Sequence, residues 1–113
     1  MAVYQGAPLT PVIDSGTQLD ATSANMFTFA KQVGFVVIQN ESATDLYVKW
    51  DATTAAPAAS ASWCDGMIPA GETRPFEIRC NKLALYNPGG GAVVWTDDAT
   101  PNKELWITGW VAE

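Results

Sequence analysis

The chain has 113 residues, 48% of them apolar and 16% charged, with six Lys and Arg against twelve Asp and Glu and a formal net charge of −6. This length fits one domain, which buries roughly two thirds of the surface its unfolded chain exposes and needs neither metal nor disulfide to hold a core. The basic residues stand singly from Lys31 to Lys103, so the basic footprint that nucleic acid or an anionic membrane demands is missing, and neither is expected as a partner.

In chain order, residues 1–25 carry Gly, Pro, Ser and Thr throughout and no helical period. Pro8 and Pro11 bracket a Leu-Thr pair, as in an extended arm or an edge strand. The alternative is a poorly ordered terminus, but Val3, Tyr4, Leu9, Val12 and Ile13 are too apolar for a free tail. From residue 26 to 113 the signal is that of one domain of short strands. MFTFAKQ (26–32) alternates, GFVVIQN (34–40) is apolar and β-branched, and DLYVKWD (45–51) puts Leu46, Val48 and Trp50 on one face and Tyr47 and Lys49 on the other. TRPFEIRC (73–80), KLALYN (82–87), AVVWTD (92–97) and ELWITGWVA (104–112) follow with the same period of two. NESATD, IPAGET and NPGGG supply turn chemistry between them. Roughly seven or eight short strands at this spacing predict an all-β sandwich or barrel. The run ATTAAPAASAS (52–62) has Pro57 in its middle and no amphipathic face, and reads as a long loop.

Catalytic and metal-binding constellations are absent from this pattern. The chain contains no His, the commonest general base and metal ligand. Asp97 and Asp98 are adjacent, which in a strand turns them to opposite faces; with Glu104 they match no calcium loop. NPGGG is followed by neither Lys nor a helix, so it reads as a turn rather than a phosphate loop. No catalytic residue, cofactor or metal is expected, and the protein is not expected to be an enzyme. Cys64 and Cys80 read as two buried free thiols or as one disulfide; two cysteines are too few for a disulfide scaffold. No basic stretch followed by an apolar run opens the chain and no apolar run approaches ~20 residues, so neither a signal peptide nor a membrane helix is expected.

Of the five Trp residues, Trp50 and Trp95 read as core. The last strand is different. Leu105, Ile107 and Val111 share one face while Trp106 and Trp110 lie on the other, so both faces are apolar, which a strand with one solvated face should not show. The second face is covered within the chain, meets another subunit, or serves as a platform on which sugar rings stack.

VIQNESATDLYVKWD, IPAGETRPFEI and KLALYNPGGGAVVWT together resemble a pattern in small virion accessory proteins of tailed bacteriophages, of the capsid decoration (cement) type, over roughly residues 35–96. The resemblance implies a single β-sandwich or jelly-roll-like domain with an extended N-terminal arm. It also implies a homo-oligomer, a trimer or else a dimer, made in the host cytoplasm. Such an oligomer sits on the virion's capsid surface and closes seams between major capsid protein subunits. Val3, Tyr4, Leu9, Val12 and Ile13 of the arm, with Trp106 and Trp110, are then the candidate interface. The competing expectation is a carbohydrate- or receptor-binding sandwich of a phage fibre or tail that uses exposed Trp. The arm, at ~1–2 kcal/mol of ordering cost per residue, is expected to order only on another subunit, so that removing residues 1–13 leaves a folded domain.

Overall fold

The structure, a computed structural model, describes residues 4–13, 18–19, 25–51, 64–87, 93–94 and 104–112. These form eleven strands: β1 (Tyr4–Leu9), β2 (Val12–Ile13), β3 (Gln18–Leu19), β4 (Asn25–Val33), β5 (Phe35–Asn40), β6 (Leu46–Trp50), β7 (Gly66–Ile68), β8 (Thr73–Phe76), β9 (Cys80–Tyr86), β10 (Val93–Val94) and β11 (Leu105–Ala112). No described residue is helical. One sheet runs β1-β11-β5-β8, the other β2-β4-β9-β6-β7, and β3 pairs with β10 in a two-stranded ribbon.

Without β2 and the ribbon, the strands in chain order are β1, β4, β5, β6, β7, β8, β9 and β11. The first pairs with the last, the second with the seventh, the third with the sixth and the fourth with the fifth, all antiparallel. Pairing of β11 with β5 and of β9 with β6 then completes the two sheets. This nested pairing is a jelly roll, a long double ribbon rolled so that alternate rungs fall in opposite sheets. The all-β sandwich is therefore the architecture, in its jelly-roll form.

The alternation read from the sequence sets which side chains point inward. Phe27, Phe29, Leu46, Val48, Ile68, Leu83 and Leu85 of the five-stranded sheet meet Val36, Ile38, Leu105 and Ile107 of the other, and all are essentially inaccessible to solvent. Trp50 joins the layers at one side, its ring 4.9 Å from that of Phe76 in an edge-on contact. Among the described residues the chain crosses between sheets at 10–11, 34, 41–45, 69–72 and 77–79, and the crossings at 34 and 77–79 share one end of the sandwich. Gly34 alone separates β4 from β5 and donates its N–H to Trp110 O at 2.8 Å. Residues 77–79 carry the chain from β8 to β9, so the stretch 73–80, read from sequence as one strand, is two strands in different sheets. Just before Gly34 β4 bulges between Thr28 and Val33, and Asn81 Nδ2 donates to Phe29 O at 3.2 Å across the gap. We call the end of the sandwich at Gly34 and residues 77–79 the lower end, and the end where β5 stops at Asn40 the upper end.

Residues 4–13 are extended, but their partners belong to the same chain. Tyr4 and Gln5 of β1 pair with Ala112 and Val111, Leu9 pairs with Gly109 and packs against the core, and β2 pairs with Thr28 and Phe27. The expectation that this stretch orders only on another subunit is corrected accordingly: backbone pairing and the Leu9 contact order it within the fold. Removing residues 1–13 should therefore cost about 2 kcal/mol or more, since burial of one Leu side chain alone contributes about 1.5–3 kcal/mol. Thermal melts of the truncated and full-length chains check this; equal melting temperatures would restore the free-arm reading.

Candidate functional site

Cross-strand register defines an outward face on the β1-β11-β5-β8 sheet. Trp106 stands opposite Gln39, Thr108 opposite Val37 and Trp110 opposite Phe35. On the far side of β5, Val37 faces Pro75 and Gln39 faces Thr73. Trp106 is 36% exposed, and Phe35, Val37, Thr108 and Trp110 are half-buried by one another. The Phe35 and Trp110 ring centroids lie 5.7 Å apart with the planes tilted by 53°. The second apolar face expected for the closing strand thus exists. It is the outside of the sandwich, and within β5, β8 and β11 it carries no ionisable side chain. Glu41 and Glu104 stand at its upper rim, where Glu41 N–H donates to Glu104 O at 2.8 Å and Glu41 Oε1 accepts from Gln39 Nε2 at 2.9 Å.

Trp106 and Trp110 share this face. The N-terminal candidates do not gather there as a set. Val12 is 62% exposed, but on β2, at the edge of the opposite sheet. Leu9 is turned into the core. Tyr4 and Ile13 hold backbone places in β1 and β2, while Val3 lies outside the described residues, as do Trp63, Trp95, Asp97, Asp98 and the whole of the loop 52–62.

The upper end is organised by one side chain that the sequence reading took as the end of a strand and the start of a turn. Asn40 is completely buried. Its Nδ2 donates toward Thr44 O at 2.9 Å, Ile68 O at 3.0 Å and Pro69 O at 3.3 Å. Its Oδ1 accepts from Ser42 N at 3.0 Å and Ser42 Oγ at 2.6 Å. Asp45 Oδ1 accepts from Ala70 N at 2.9 Å, and Glu72 N–H closes the next turn on Pro69 O at 3.1 Å. Gly71 in that turn has φ +75°, which only glycine adopts without strain. The segments NESATD and IPAGET, which carry much of the resemblance, are therefore two turns pinned to one buried amide.

Both cysteines are free thiols. Burial, then the negative charge of Asp65, pushes Cys64 up to about 11, and burial, then Asp51, pushes Cys80 up to about 12. A thiol that ionises more readily unfolded than folded makes the folded state lose stability as pH rises. The window opens near the ordinary thiol value of 9.0 and closes near 12. We expect an unchanged melting temperature with reductant at pH 7 and slow labelling of both thiols by alkylating reagents. A large drop under reductant would reveal a bridge, which typically contributes about 2–4 kcal/mol.

No three His, Cys, Asp or Glu side chains converge as a metal site among the described residues. Comparison with protein-family models, with curated proteins and with solved structures finds no match.

Proposed function

We propose that this chain is a structural protein of a tailed-phage virion, a decoration protein that binds the outer capsid surface and stabilises seams between major capsid subunits. The observation that carries the reading is the uncharged aromatic face of Phe35, Val37, Trp106 and Trp110 on the outside of a jelly roll. Jelly rolls recur in viral capsid and lectin domains, and the fold by itself assigns no activity. The face has the composition of an interface core: aromatic side chains, and charge only at the rim. Repeated over many copies, apolar burial at roughly 25 cal/mol per Å² adds up to a strengthened shell. The resemblance over residues 35–96 points to the same class.

Sedimentation of capsids lacking decoration with the purified chain tests the reading. The chain should pellet with the shells and saturate at a fixed ratio to the major capsid protein, and Trp106→Ala should reduce that occupancy while the variant stays folded. A chain left in the supernatant at every concentration contradicts it. The second reading, a carbohydrate-binding module, rests on Trp106 at 36% exposure beside the amide of Gln39; oligosaccharide quenching of Trp fluorescence that disappears in Trp106→Ala would favour it.

A further inference from the structure

We infer that the outward face of β5, β8 and β11 pairs with the same face of a second copy of this chain, about a two-fold axis that passes beside Thr108 and sets the upper end of one copy over the lower end of its partner. The inference rests on the structural-protein reading and names what covers this face in the free chain: the pair is the form in solution, and it opens to turn the same face to the capsid.

Three observations carry it. The first is charge. A chain of net charge −6 can meet its own copy only where like charges are not brought together, and the side chains these strands turn to this face carry none. The second is orientation. Glu41, Glu104 and Glu72, the last paired with Arg74, mark the upper rim, whereas Arg79, beside Glu77, is exposed at the lower end, as is Lys31 at the same end of the other sheet. An upper-to-upper pairing would bring Glu41 and Glu104 of both copies together, and an upper-to-lower pairing brings them toward Arg79 and Lys31. The third is the symmetry of β11. Thr108 lies midway between Trp106 and Trp110, so a two-fold axis there seats Trp106 against the partner's Trp110 and the reverse, a self-complementary contact.

The area is sufficient. Strand spacing of ~4.8 Å and a rise of ~3.4 Å per residue make this side of the four-stranded sheet, β1 included, about 19 by 20 Å, or about 400 Å² flat for each copy. Protruding rings enlarge it, so a pair reaches the ~1,000–1,200 Å² at the low end of specific interfaces. Two twisted sheets packed this way cross at about 30° with interdigitated side chains.

Sedimentation equilibrium of the full chain over a concentration series tests the inference with Thr108→Glu and Thr108→Lys. Thr108 is half-buried on the outward face, away from the core, and circular dichroism melts check that both variants fold. Wild type should dimerise. Each variant alone should weaken the dimer more than about tenfold, the effect of ~1.4 kcal/mol, and an equimolar mixture should re-form a dimer of one Glu and one Lys chain. Rescue by mixing identifies a second copy as the occupant, because no other partner would respond to it. A monomeric wild type at ~100 µM, where a millimolar or weaker constant would apply, overturns the pairing. A dimer that survives in both variants also overturns it, by placing the interface elsewhere. If the variants unfold, Val37→Glu and Val37→Lys, level with Thr108 and so with the axis, repeat the comparison. Glycan binding by a monomeric wild type would assign the face to a sugar instead. Capsid sedimentation is measured separately, so a dimer that ignores capsids fails the function while keeping the pairing, and a capsid-binding monomer does the reverse.

Discussion

Replacing Asn40 by Ala should lower stability by about 3–5 kcal/mol, among the largest effects a single change in this chain can have. The side chain is fully buried and supplies donors to the backbone of three residues in two turns while accepting from Ser42 twice. Truncation takes the Asn40 donor from the Ile68 carbonyl and the Asn40 acceptor from the Ser42 N–H at a buried site, and each buried polar group left unsatisfied costs about 1–3 kcal/mol. Asn40→Asp keeps the shape but aims a carboxylate at the three carbonyls, and should be at least as damaging. Urea unfolding reads both variants. A midpoint shift with unchanged slope is expected, together with faster hydrogen exchange at the Ser42 and Ala70 amides. An Asn40→Ala variant within about 1 kcal/mol of wild type would show that the amide does not hold the upper end together.

The second large effect is expected at Gly109, on the inner face of β11. A Cβ built there would lie 2.7 and 2.9 Å from Phe29 ring carbons and 2.9 Å from Val33 Cγ1. Phe29 and Val33 are both buried at the bulged end of β4, so neither ring nor methyl can move without opening the core. Gly109→Ala should therefore cost about 2–3 kcal/mol through overpacking. Phe29→Leu in the Gly109→Ala background should recover part of that loss, with a coupling of about 1 kcal/mol between the two sites. Additive losses would mean that the ring is not the obstacle. One residue along the strand the expectation reverses. Trp110 points outward, and Trp110→Ala should cost the fold little more than its contact with Phe35, about 0.5–1.5 kcal/mol.

The contrast between Gly109 and Trp110 shows what period-two reading conveys. Alternation in ELWITGWVA assigns Leu105 and Ile107 to the core and Trp106 and Trp110 to the other side, and it does the same for Leu46 and Val48 against Tyr47 and Lys49. These are local steric facts. The crossings are not local. A strand that changes sheets at Gly34, or between Phe76 and Cys80, keeps its apolar alternation through the bend, so TRPFEIRC reads as one strand. The burial of Asn40 escapes for a similar reason: an Asn before a Ser-rich turn has the chemistry of a solvated turn, and only the approach of residues 68–69 from far along the chain turns it into a hub. Gly109 did carry a signal, since glycine inside an apolar strand marks a close approach. For residues 4–13, composition predicts an extended apolar segment correctly but cannot say whose sheet it joins, and the pairing with β11 and β4 assigns it to its own chain.

Co-expression of this chain with the major capsid protein encoded in the same genome tests the central claim most directly. Purified shells should contain the chain at a fixed ratio to that protein, show density for a jelly roll on their outer surface by electron microscopy, and resist heat better than shells assembled without it. Shells that form equally stable particles with no bound chain, or a genome that specifies no capsid protein, would contradict the account.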